Sequence, residues 1–233
     1  MNPPVNPAAD DRRSDAPVDR PPTEDTPSGD VDALSYQDRY RQRRGVVEVS
    51  WTTFSALCKG LALALADYAP ETVVGLTRGG VYPAAQLSHL LRADLVVLGI
   101  SRRERDRVVH RTPVLTAPPA DRLTGRRVLV VDEICDSGET LVLARAEVER
   151  VGAAETRTCV LYSHTRAVHV PDYVGLVSDE LLMNPWDREV LEEGRLVRHP
   201  EYVAALSAQG LEGSHLGQGT PPVAPAVTPA TGR

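Results

Sequence analysis

Lysine is almost missing from this chain: Lys59 is the single example, and every other one of the 26 basic residues is an arginine. A Walker lysine motif is therefore excluded, and no G-x-G-x-x-G run is present to suggest a dinucleotide site. Cysteine is limited to Cys58, Cys135 and Cys159. They are odd in number, lie in apolar runs and show no C-x-x-C spacing. Such thiols fit the core of a protein in a reducing cytoplasm and exclude a disulfide framework or a thiolate metal site. No apolar stretch reaches the roughly 20 residues of a membrane span, and the N-terminus lacks the apolar core of a signal peptide. A formal net charge of −6 argues against a general nucleic-acid binder, while leaving local basic patches such as Arg39, Arg41, Arg43 and Arg44 open.

What is present fits one domain. With 233 residues and 42% hydrophobic content, the chain can bury one sizeable core. Met1 to about Asp32 is dense in Pro, Asp and Arg, and about Gly210 to Arg233 is mostly Gly, Pro, Thr and Ala. Both stretches read as disordered tails, which gives tails over 1–34 and 210–233 around a domain over 35–209. Inside it, Ser50 can cap a helix whose apolar positions Phe54, Leu57, Cys58, Leu61, Ala62, Leu65 and Tyr68 recur at helical spacing, with Pro70 at its end. A strand (Thr72–Leu76), a tight loop (Thr77–Gly80), a helix (about Tyr82–Leu91) and a strand (Leu95–Ile100) follow. A long polar connection precedes a strand at Val128–Val131, a helix to about Val151, and strands at Arg157–Tyr162 and Tyr173–Val177. Repeated strand–helix units imply an α/β fold, with a mostly parallel sheet flanked by helices.

The most informative segment runs from Val128 to Leu141. An unalternating Val/Leu strand, of the kind buried on both faces, ends in Asp132 and Glu133. Adjacent strand residues point to opposite sides, so one carboxylate can face a sugar while the other turns elsewhere. Asp136, Ser137, Gly138, Glu139 and Thr140 then lead into a helix. Gly138 permits unusual backbone angles, and free amides at the helix start make an anion site. Phosphate on the amides and hydroxyls, with sugar diols on the carboxylates, is the arrangement this predicts. Ordinary helix capping by Asp and Ser is the plainer alternative.

Three further pieces could join it. Thr77, Arg78, Gly79 and Gly80 form a second strand-to-helix loop, where glycines allow close backbone approach and Arg78 offers a fork for phosphate oxygens. The connection between Ile100 and Val128 holds Arg102, Arg103, Arg105, Arg107 and Arg111. A mobile lid is one reading of so long a connection, a solvated basic hairpin the other; Arg102 and Arg103, nearest the strand end, are the first candidates. Finally, Asp179 to Asp187 contains an apolar stretch closed by Asn184-Pro185-Trp186. The backbone about Leu181 and Leu182 can line a flat pocket, while Trp186 packs a C-terminal piece onto the sheet.

Together these motifs resemble the type I phosphoribosyltransferases, most nearly the xanthine/guanine/hypoxanthine branch, across nearly the whole domain. The resemblance implies that Asp132–Thr140 binds 5-phosphoribosyl-1-pyrophosphate (PRPP). Ser137, Gly138, Glu139 (by its backbone) and Thr140 would hold the 5′-phosphate beside Asp136. Asp132 and Glu133 would face the ribose and Mg²⁺, directly or through water. Thr77–Gly80, with a non-proline cis peptide after Thr77, would bind pyrophosphate together with Arg102 or Arg103. Asp136 would be the general base, and Ile134, His164, Leu181 and Leu182 would line the base pocket under a small C-terminal hood. Two departures stand out. The family's lysine, which donates to the 6-oxo group, has no counterpart; Ser163, His164 and Thr165 stand near that place, where His164 could donate instead or be simply a surface residue. Leu181 takes the place of a stacking aromatic. The expected activity is phosphoribosyl transfer from PRPP to a 6-oxopurine in the cytoplasm, by a homodimer or homotetramer. The alternative is a PRPP- or nucleotide-sensing regulator on the same fold.

Overall fold

The computed structural model describes residues 45–104, 107–108, 112–117 and 121–211, together with Arg43 and His110. The predicted tails lie outside the described residues, apart from 210 and 211. So do Arg39, Arg41, Arg44, Arg105 and Arg111, and the side chains of Arg103 and Arg107.

The central sheet combines β2 (Thr72–Leu76), β3 (Asp94–Ser101), β6 (Val114–Ala117), β7 (Arg127–Cys135), β8 (Glu155–Ser163) and β9 (Tyr173–Val177), in the order β6-β3-β2-β7-β8-β9. All neighbours are parallel except β6, which runs antiparallel to β3 at one edge. The predicted parallel sheet is present, and β6 is an addition hidden in what reads as an unstructured connection. Two-residue strands at Arg103–Glu104 (β4) and Arg107–Val108 (β5) form a small hairpin in the same connection.

Helices α1 (Trp51–Ala64) and α2 (Val81–Leu91) cover one face, and α3 (Glu139–Arg150) covers the other. Alternation along β7 makes both faces apolar. Leu129 and Val131 pack with Phe54, Leu57 and Leu87, while Val128 and Val130 pack with Leu141, Ala144 and Val148. All four β7 residues are fully buried, which is why the strand reads as a continuous Val/Leu run. Ser50 caps α1 as expected, its Oγ accepting from the Thr53 N–H at 3.0 Å. The helix stops at Ala64, short of Pro70, although Leu65 and Tyr68 stay buried beyond its end.

The C-terminal part is a separate small layer. β1 (Val46–Glu48) pairs in parallel with β10 (Leu181–Met183), β11 (Glu189–Glu192) with β12 (Arg195–Arg198) as a hairpin, and α4 (Pro200–Ala208) closes the hood. Leu181 and Met183 pack there with Tyr202 and Ala205. Trp186 joins the hood to the main body. It stacks on Tyr82 with ring centroids 4.5 Å apart and meets Phe54 edge-on at 5.0 Å. This is the packing role expected of it.

Candidate active site

Chain order around β2 and β7 creates the crevice. From β2 the chain passes through α2 on one face to β3; from β7 it passes through α3 on the other face to β8. The carboxyl ends of β2 and β7 are adjacent and their connections diverge, which is the switch point where open α/β sheets bind ligands. Both predicted loops, 77–80 and 136–140, emerge there.

Glycine is required where the two loops meet the strands. A Cβ on Gly80 would lie 2.7 Å from the Val131 carbonyl oxygen and 2.8 Å from Asp132 Cα. One on Gly79 would collide with the Glu133 carboxylate. The peptide between Thr77 and Arg78 is cis, at the bond the family resemblance implies. Gly138 adopts φ +91°, and its missing side chain makes room for the His169 carbonyl. The segment after β8 is laced to this loop: the N–H groups of Val168 and His169 donate to the Ser137 carbonyl at 3.2 and 3.0 Å. Amides at the start of α3, with exposed Ser137 and half-buried Thr140, then lie at a helix N-terminus, an end whose dipole favours anions.

β7 runs four residues beyond the predicted Val131, so the acids sit on a strand still paired to β8 rather than past its end. Glu133 accepts from Asn184 Nδ2 at 2.5 Å, and Asn184 in turn accepts from the Tyr162 hydroxyl at 2.9 Å. The hood therefore fixes one acid. Asp132 turns back to accept the Glu133 N–H at 2.8 Å. Burial pushes its carboxyl up to about 6, against the pull of that N–H.

Asp136 is paired with Arg166, whose Nε and Nη2 both lie 2.7 Å from Oδ1. Arg166 has no motif around it and is invisible in the sequence; only the fold of the 164–170 segment brings it to Asp136. Asn184 stood in the Asn-Pro-Trp stretch, yet nothing there indicated that it reaches Glu133.

The candidate base-pocket residues separate. Ile134 is half-buried against the cluster that includes Leu129 and Leu161. Leu182 joins that same cluster, whereas Leu181 turns into the hood core. His164 is buried, with Nδ1 2.7 Å from the Ser178 carbonyl. Since a carbonyl only accepts, the ring N–H expected for an oxo group is already engaged. Burial, then the charges of Arg43 and Arg166, hold its pKa below the ordinary histidine value. Arg102 lies half-buried where the connection leaves β3, four residues past Leu98, whose carbonyl accepts from the Thr77 N–H at 3.1 Å.

A model of the phosphoribosyl transferase domain matches residues 50–196, the span from α1 to the β11–β12 hairpin. The chain belongs to this family. Within it the chain is a type I phosphoribosyltransferase of the purine kind, a PRPP-dependent pentosyltransferase. It is 33% identical over 147 residues to the xanthine-guanine phosphoribosyltransferase of Cereibacter sphaeroides, covering 60% of this chain and 85% of that protein. The xanthine-guanine phosphoribosyltransferase of Roseobacter denitrificans is 28% identical over 169 residues, covering 65% and 90%. A purine phosphoribosyltransferase structure from Pyrococcus horikoshii superposes with a TM-score of 0.55 at 30% identity, covering 63% of this chain and 97% of that one. No helix among the described residues is long and apolar enough to cross a membrane.

Proposed function

We propose that this phosphoribosyltransferase moves the 5-phosphoribosyl group of PRPP to a ring nitrogen of a 6-oxopurine and releases pyrophosphate. The observation that carries this reading is the meeting of two glycine-backed loops at the switch point, one holding Asp136 and the other Arg78. The names of the two bacterial relatives, which act on xanthine and guanine, support the choice of base.

The amides of 137–140, with the Ser137 and Thr140 hydroxyls, take the 5′-phosphate. Thr77–Gly80 and Arg102 take the pyrophosphate. As the bond from ribose C1 to pyrophosphate oxygen breaks, positive charge grows on the sugar and negative charge on the leaving group. Asp132 and Glu133 stabilise the first, and Arg78 with the loop amides the second, so fixed charges supply most of the acceleration. The base nitrogen bonds to C1 and gives its proton to Asp136, whose carboxylate Arg166 orients. The base lies towards His164 and the backbone about Leu181 and Leu182, the Leu181 side chain being taken up by the hood core.

The donor set fits Mg²⁺. Asp132 and Glu133 are hard oxygen ligands, and the desolvated Asp132 carboxyl would regain its charge beside a cation. The two acids leave β7 on opposite sides and Glu133 is held by Asn184, so a single carboxylate would reach the ion, which suits one that keeps waters and substrate oxygens. When bound, it neutralises charge on the leaving pyrophosphate. The buried free thiols suit a reducing cytoplasm, and light scattering decides between homodimer and homotetramer.

The test is pyrophosphate release from PRPP and Mg²⁺ with hypoxanthine, guanine, xanthine, adenine or uracil. Release with 6-oxopurines is expected. Tight PRPP binding without release from any base would replace the enzyme with a PRPP-sensing regulator.

A further inference from the structure

His164, near the place where the family resemblance puts a lysine, offers the opposite chemistry. It follows β8 in the strand-end layer of Asp136, with its backbone N–H donating to the Cys135 carbonyl at 3.0 Å. The residue is 2% exposed. With Nδ1 donating to Ser178 at 2.7 Å, Nε2 of the neutral ring is a lone pair, able only to accept. That atom is buried and has no hydrogen-bond partner among the described residues. Buried polar atoms are nearly always paired, and the exceptions call for an explanation such as a ligand.

The surroundings keep the ring neutral. Arg43 and Arg166 oppose a charge on it, while Asp136 and Asp179, the latter 3.9 Å from Nδ1, favour one. Burial sides with the arginines.

We propose that His164 Nε2 accepts a hydrogen bond from the lactam N1–H of the 6-oxopurine. The protein thus reads a ring donor where a lysine would read the oxo oxygen. N1–H is common to hypoxanthine, guanine and xanthine and is absent from adenine. The proposal rests on the transferase reading above.

The test compares kcat/KM for hypoxanthine and 1-methylhypoxanthine, which lacks the N1 proton, in the wild-type enzyme and in His164→Leu. Wild type should prefer hypoxanthine at least tenfold, because the methylated base leaves a buried acceptor unpaired. In His164→Leu the ratio should fall close to one. Equal use of both bases by wild type, or an unchanged ratio in the variant, overturns the proposal. Preference for adenine would place the donor on an exocyclic amine and overturn the lactam assignment. If the variant does not fold, ¹⁵N NMR of histidine-labelled wild type decides. Adding inosine 5′-monophosphate should move the Nε2 resonance towards the hydrogen-bonded range while Nδ1 stays protonated; an unmoved Nε2 rejects the contact. Failure of the parent reading looks different, as no pyrophosphate release with any base.

Discussion

Replacing Gly80 by alanine should destabilise the fold, although its backbone suits alanine well. Gly80 has φ −63° and ψ −17°, an ordinary helical conformation, so no backbone strain is introduced. Constraining the unfolded chain would even stabilise the protein by about 0.4–1 kcal/mol. Space decides otherwise. The new Cβ would stand 2.7 Å from the Val131 oxygen, 2.8 Å from Asp132 Cα and 2.8 Å from the Leu76 oxygen. All three are backbone atoms of the central strands and cannot swing aside. Overpacking of this kind costs about 1–3 kcal/mol, and three rigid contacts place it at the upper end. The net loss is about 2 kcal/mol, or about 4–8 °C in Tm for a domain of this size. Gly79→Ala is the control. Its Cβ meets the Glu133 side chain, which can rotate away at the expense of its 2.5 Å bond from Asn184. That variant should keep most of its stability and lose activity. Urea midpoints and calorimetry on both, with initial rates, separate the two. A Gly80→Ala midpoint equal to wild type, or identical behaviour of both variants, refutes the steric reasoning.

Asp136→Asn should lower kcat by about 10²–10⁴-fold, the range for loss of a positioned base, while the Kd for PRPP changes only a few-fold; equal loss of both removes the general-base role. Arg166→Leu should cost less than about 1 kcal/mol of stability, because its ion pair is partly exposed, yet turnover should fall at least about tenfold as Asp136 loses its orientation. Unchanged turnover would show the pair to be ornamental. The raised Asp132 pKa makes native protein bind a proton that the unfolded chain releases between about pH 4 and about 6. Stability therefore falls as pH rises through that window, and Asp132→Asn should remove this slope while weakening PRPP binding. Parallel urea midpoints for both proteins from pH 4 to 7 would contradict the burial of that carboxyl.

Much of the fold was written in local patterns. Val128–Val131 announces a strand buried on both faces because each of its side chains has an apolar layer to enter. Ser50 announces a helix start because its oxygen can accept from the Thr53 amide. β6, β10 and the hairpins are too short to show periodicity, and they gain their strand geometry from partners far away in the chain. The end of β7 was misplaced because charged residues read as a boundary, whereas pairing to β8 carries the strand through Asp132 and Glu133 to Cys135.

The site divides along the same line. Residue type, order and spacing along the chain determined the donor half: acids, Asp136, Gly138 and Thr140 are contiguous, and their chemistry follows from a strand–turn–helix that forms locally. Tertiary structure alone decided which charges face one another. It brought Arg166 to Asp136, Asn184 to Glu133 and the Ser178 carbonyl to His164. The last contact turns an expected donor into an acceptor, because a ring with one proton can give it only once. No reading of the sequence could foresee that, since the direction of a histidine's hydrogen bond is set by the neighbour that folding supplies.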